Sequence, residues 1–219
     1  MDSLTQIALG IATAELVAGK KLQNKTFLYG VILGTIPDLD IVVGKFMSDV
    51  DGVAIHRGLS HSLLFFVFLV PVLGWVISKI EKDKINFKSA SLLAFWCLVT
   101  HVLLDLFTSW GTQILWPLEH RFALKTIFVI DPLYTIPLLI SLIFVWRKKE
   151  FLVRRKYVIR GLVISSSYLL LTCVLKLFAV QQFEKALENQ KLTYDKLIVK
   201  PTAFNSILWN ANIATPEGY

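Results

Sequence analysis

His101 and Asp105 stand four residues apart at the end of an apolar stretch, so one helix face presents an imidazole and a carboxylate together. His56 and His61 flank Arg57-Gly58-Leu59-Ser60. That spacing is wrong for a single helix face and suits a loop histidine followed by one in the first turn of a helix. Asp38 and Asp40 follow Pro37 and point the same way if the segment is extended. Histidines and carboxylates in this mixture are a ligand set for a divalent metal ion, zinc the leading candidate. Each cluster sits beside or within an apolar segment, where an ionisable group is costly and usually functional. The candidate metal ligands are therefore His56, His61, His101, Asp105, Asp38 and Asp40.

The same donors suit hydrolysis. A metal-bound water is acidified, Asp38 or Asp40 is suited to take a proton as general base, and Arg57 is suited to steady an anion. Simpler readings stand beside these. Asp105 can hold His101 by a hydrogen bond at a helix end, or orient the ring from behind a metal. Ser60 or Ser62 can cap the following helix, with His56 and His61 in an ordinary interfacial loop and Arg57 against a lipid headgroup. Asp38 and Asp40 can be solvated acids at a helix stop, although apolar Leu39, Ile41, Val42 and Val43 surround them. Asp2 either caps the first helix or joins the site, and Gln6 reads as the capping-box partner of Ser3. Asp131, before Pro132, reads as a helix N-cap. Glu15 and Lys176 are intramembrane charges that snorkelling explains.

Apolar helices must position these groups. Apolar segments cover residues 4–18, 26–36, 62–80, 89–107, 132–146 and 161–180, with a more polar stretch from 181. The expected fold is all-α: a polytopic transmembrane helical bundle of about five to six membrane helices, the first two short or half-depth. The second segment is too short to span alone, so either its helix continues past Pro37 or the first pair forms a half-depth hairpin; both sink the aspartates below the membrane surface. Residues 1–180 are expected to form the helical domain, and 181–219 the start of a soluble C-terminal region.

Composition agrees. The chain is 55% hydrophobic and only 18% charged, which leans to the membrane. The net charge of +7 comes from short basic runs at residues 20–25, 79–88 and 147–160. Runs of this kind fit cytoplasmic loops beside anionic lipid rather than a nucleic-acid groove. By the positive-inside rule the three polar clusters, both termini and the tail fall on the extracytoplasmic face. Cys97 and Cys173 lie in apolar stretches, which argues against a disulfide framework, and Met1-Asp2-Ser3 lacks the basic start of a cleaved signal peptide.

Met1-Asp2-Ser3-Leu4-Thr5-Gln6, Gly34-Thr35-Ile36-Pro37-Asp38-Leu39-Asp40, His56-Arg57-Gly58-Leu59-Ser60-His61-Ser62, His101-x-x-x-Asp105 and Asp131-Pro132-Leu133-Tyr134 resemble motifs of the LexA-regulated, membrane-bound metal-dependent hydrolases of bacterial inner membranes. The resemblance covers most of residues 1–146. It implies a hydrolase acting at the inner membrane. Many members read Thr-His where this chain reads Thr5-Gln6, so no first-helix histidine is carried over. The segment from Lys200 to Trp209 looks like the entry to a further C-terminal region that members carry. A site level with the headgroups favours an ester or phosphoester substrate that is a lipid or lipid-linked. The rival reading is a non-catalytic metal-binding or ion-transport module using the same ligands.

Overall fold

The computed structural model describes residues 1–48, 52, 56–82 and 84–215. Its helices are α1 (Ser3–Leu22), α2 (Lys25–Thr35), α3 (Asp40–Gly44), α4 (Leu63–Ile80), α5 (Phe87–Asp105), α6 (Pro132–Arg147) and α7 (Phe151–Asn189), followed by an antiparallel hairpin of β1 (Lys196–Pro201) and β2 (Trp209–Ala214). This is a helical membrane bundle. Among the described residues three helices, α4, α5 and α7, are long and apolar enough to cross a bilayer, and α2 with the segment Pro37–Gly44 makes a fourth if counted as one bent span. That is fewer than the five to six expected. The 16-residue α6 is too short by this measure. α1 is not a candidate span either; it is the central strut of the bundle.

α1 can occupy the centre because its buried positions are small. Ala8, Ala12, Ala14 and Ala18 are all buried, against α2 on one side and α5, α6 and α7 on the others. Gly30 and Gly34 lie one turn apart on α2 and face Gly10 of α1. A Cβ on Gly30 would collide with the backbone of Ile11. Small residues at this spacing let two helix backbones touch, the usual device where lipid supplies no hydrophobic drive for association.

The helix of α2 does continue past Pro37, as a 3-10 turn (Pro37–Leu39) and then α3, after a bend of 47°. Proline removes an N–H and forces the kink. The bend turns Asp38 and Asp40 inward, and Asp40 is buried.

Two charged ties fasten the opposite, basic end. Arg154 of α7 donates from Nε to Glu15 Oε1 at 2.8 Å and from Nη2 to Glu15 Oε2 at 2.6 Å, while Nη1 reaches Asn24. Thr26 adds a hydrogen bond to Glu15 Oε2 at 2.6 Å. Glu15 therefore does not snorkel; it is fully buried and paired. Lys25 binds Glu81 at 2.6 Å, joined by the Tyr29 hydroxyl at 3.0 Å, which ties α2 to the end of α4.

At the start of α1 the cap reading of Asp2 holds and the capping box of Ser3 with Gln6 does not form. Asp2, not Ser3, caps the helix: its carboxylate accepts from Thr5 N at 3.0 Å and Thr5 Oγ1 at 2.6 Å. A carboxylate accepts both at once, which leaves Gln6 free for another task. Asp131 and Ser62 are N-caps as read, of α6 and α4.

Candidate metal centre

Three elements bring four ligands to one point at the motif end of the bundle. The kink after α2 supplies Asp38. A second 3-10 turn (Leu59–His61) supplies His61 just before α4, and the last turn of α5 supplies His101 and Asp105. One ligand atom from each of the four lies within 4.8 Å of every other. Asp38 Oδ1 is 3.4 Å from His61 Nε2 and 3.4 Å from His101 Nε2. Asp105 Oδ2 is 3.5 Å from His61 Nε2 and 3.9 Å from His101 Nε2.

Those separations fit a metal ion. Bonds of about 2.0–2.2 Å in tetrahedral geometry put neighbouring ligand atoms about 3.3–3.6 Å apart. The polar accounting fits as well. Gln6 Oε1, Arg57 Nε, His61 Nε2, His101 Nε2 and Asp105 Oδ2 are all buried without a hydrogen-bond partner among the described residues. Buried polar atoms are rarely left so. An unpartnered set crowded on one centre, two of its members imidazole nitrogens, could hold a cation. Two carboxylates in an apolar interior also demand positive charge.

The other ring nitrogens fix the tautomers. His101 Nδ1 lies 2.7 Å from the carbonyl oxygen of Gly34, an acceptor only, so Nδ1 carries the proton and Nε2 keeps its lone pair for the centre. His61 Nδ1 meets Ser60 Oγ at 2.9 Å, with Asp40 Oδ2 at 3.5 Å behind it. Burial works to lower the His61 pKa, but the surrounding carboxylates of Asp105, Asp38 and Asp40 outweigh it and raise the group to about 10. The cluster thus attracts a cation whether it is a proton or a metal.

The six candidate ligands do not all stand in one layer. Asp38, His61, His101 and Asp105 converge; Asp40 and His56 lie one step back. Asp40 accepts from Ser60 Oγ at 2.6 Å and Arg57 N at 3.0 Å, and its Oδ1 lies 2.9 Å from His56 Nδ1. This makes Asp40 the support of the His61 turn. Arg57 is buried rather than turned toward lipid. Its Nη1 donates to Thr108 at 2.8 Å and its Nε lies 3.4 Å from Asp105 Oδ2. It holds a left-handed φ of 64°, an uncommon conformation for a non-glycine residue and one found at functional sites.

Gln6 belongs to this site. Its Nε2 donates to Asp105 Oδ1 at 2.9 Å and to the His101 carbonyl at 3.2 Å. The amino group of Met1 lies against the same carboxylate oxygen. A fully buried amide in an apolar helix was the signal for Gln6; the Gly34 carbonyl and Thr108 left none in the sequence. Asp2 stays at its cap, with its backbone N donating to Val129 O at 3.0 Å.

Comparison with known proteins agrees with a membrane assignment. The chain is 31% identical over 121 residues to the inner membrane protein YbcI of Escherichia coli (strain K12), covering 52% of this chain and 66% of that protein. It is 29% identical over 146 residues to the uncharacterized protein YfhP of Bacillus subtilis (strain 168), covering 60% of this chain and 42% of that one. The chain thus spans less than two thirds of the length of either relative. No solved structure matches it. The family model described as YdjM inner membrane protein matches residues 1–182, which contain every helix ligand of the centre. The chain belongs to the YdjM inner membrane protein family, and it is a multi-pass protein of the inner membrane.

Proposed function

We propose that this chain is a metal-dependent hydrolase of the inner membrane, acting on an ester or phosphoester of a lipid or lipid-linked substrate. The observation that carries the reading is the convergence of Asp38, His61, His101 and Asp105, their ligand atoms within 4.8 Å of one another, with unpartnered buried atoms around them. These four residues would hold a divalent ion. When bound, such an ion supplies Lewis acidity and an acidified water, the standard hydrolytic chemistry of a mixed histidine–carboxylate site. Asp38 is the only one of the four with appreciable exposure, its side chain 16% exposed, so it forms the open edge. His56, 29% exposed and bonded through Nδ1 to Asp40 Oδ1, forms a second edge. A proton leaving the reacting water has two acceptors there: a carboxylate oxygen of Asp38, or the Asp40–His56 pair. Arg57 balances Asp105 and lends positive charge to the side on which a substrate anion would develop.

The motif end faces the extracytoplasm in this reading, because the basic runs gather at the other end. Residues 1–180 form the membrane domain and those from 181 begin an extracytoplasmic region. Ligands gathered at one end of the bundle favour hydrolysis over transport, which calls for a site near mid-membrane.

The test is metal analysis of the purified protein together with hydrolysis of a panel of phospholipids and generic phosphoesters. Metal-dependent turnover is expected, lost on His101→Ala. Metal-loaded protein that hydrolyses nothing in the panel but moves ions across liposomes would replace this reading with the transport one.

A further inference from the structure

A basic pocket lies outside the metal centre, on the same end of the molecule. The loop after α5, the outer part of α7 and strand β1 enclose a cavity of about 330 Å³ whose walls include Lys125, Lys176, Lys196, Tyr194 and Glu184. Lys200, the residue just past the lining of β1, adds its field: burial, then Lys196 and Lys200, push the Lys125 ammonium down from its ordinary value. Lys125 itself sits at a left-handed φ of 53°. Lys176 donates to the carbonyl of Leu124, which holds the loop in place. Lys125, Lys196 and Lys200 make no side-chain hydrogen bond or ion pair with any described residue, and Glu184 is the only described carboxylate on the cavity wall. Separate elements have therefore brought cations together with too little negative charge to balance them.

The surroundings point to the kind of anion that would suit the pocket. The Tyr168 hydroxyl meets Asp131 Oδ2 at 2.8 Å, at the N-cap of α6 and so at the motif end of the bundle. Lys176 stands about 12 Å farther out along α7, at 1.5 Å per residue. Counted from the edge of the hydrocarbon core, that rise takes its backbone beyond the headgroup zone, about 5–7 Å thick on each side, and the long lysine stem lets the ammonium reach back into it. Around it α7 still exposes Leu170, Val174, Leu177 and Phe178. The turn between β1 and β2 folds back to the same helix, its Ser206 bonded to Tyr168 at 2.8 Å, and exposes Phe204, Ile207 and Leu208. Cations beside exposed apolar side chains at this depth match a molecule with a phosphate and acyl chains.

We propose that the pocket of Lys125, Lys176 and Lys196, with Lys200 at its margin, binds the phosphate of an anionic phospholipid in the motif-side leaflet. The ammonium groups of Lys125 and Lys196 and the Tyr194 hydroxyl donate to the phosphate oxygens, and the acyl chains lie along the exposed apolar face of α7. The loop so engaged is also the one whose Leu124 N bonds to Leu106 O at 2.6 Å, immediately after Asp105. A seated lipid would thus rest against the chain segment that leaves the metal centre. The inference stands whether or not that centre is hydrolytic.

The test is hydrogen exchange on the full chain in nanodiscs of phosphatidylcholine, with and without phosphatidylglycerol. Phosphatidylglycerol should protect residues 123–127 and 194–200. K125Q/K196Q/K200Q should lose that protection while the amides of α5 remain protected, which shows the bundle is folded. K148Q/K149Q, which removes charge from the opposite end, should keep it. The proposal is overturned if phosphatidylglycerol gives no protection, if both variants lose it equally, or if free glycerol phosphate gives the same protection in pure phosphatidylcholine discs.

Discussion

His101 Nδ1 donates to the carbonyl of Gly34 at 2.7 Å, and this bond links the close backbone contact of α1 and α2 to the candidate metal centre. The carbonyl reaches the ring because Gly10, Gly30 and Gly34 let α1 and α2 touch backbone to backbone beside α5. Packing of small residues thus selects the tautomer that leaves Nε2 available.

Gly30→Leu should therefore damage the site without touching a ligand. The new side chain meets the Ile11 backbone, which cannot yield as a flexible side chain would. A cost of ~1–3 kcal/mol or more is expected from such overpacking. Thermal unfolding in detergent should fall, and metal content with it; a variant with native stability and metal would show that the contact is not needed.

His101→Ala and Asp40→Asn should differ in kind. The first removes a converging ligand and should abolish bound metal. The second loosens only the support of His61, and loss of such support typically lowers metal affinity by ~10–100-fold. Metal content against free-metal concentration separates the two. If Asp40→Asn loses metal as completely as His101→Ala, Asp40 is itself a ligand.

Metal uptake should release protons. Without metal the His61 ring, with a pKa of about 10, is protonated at neutral pH, and ligation requires the neutral ring. Acid therefore competes with metal, and apparent affinity should rise with pH toward about 10, by about tenfold per pH unit for each proton displaced. Competition with a chelator of known affinity at several pH values checks this; a flat profile would remove His61 from the ligand set.

The Glu15–Arg154 pair should behave as a unit. Arg154→Leu alone strands a buried carboxylate and should cost ~3–5 kcal/mol, as should Glu15→Leu alone. The double substitution should recover most of that loss, because neither charge is then left unpaired. Additive losses in a double-mutant cycle would mean the two groups act independently.

A phosphatase reporter fused after Tyr219 should be active only outside the cytoplasm, and cysteine labels at Lys82 or Lys149 should react only from within. The reverse pattern would invert the proposed orientation while leaving the site geometry intact.

The sequence by itself determined the helices and the chemical type of the site. Apolar segments have few stable alternatives to the helix in lipid, so α4, α5 and the shorter α6 follow their expected bounds closely. His101 and Asp105 share a face because helical spacing is local. What the tertiary structure decided is which donors meet and which stand behind. His61 faces Asp38 across elements far apart in the chain, whereas Asp40, two residues from Asp38, turns to Ser60 and His56. That division depends on a 47° kink and on where the His61 turn docks, neither of which is a property of local sequence. Glu15 had no visible partner for the same reason. Its arginine lies 139 residues away, and only the packing of α7 against α1 brings the two charges into contact.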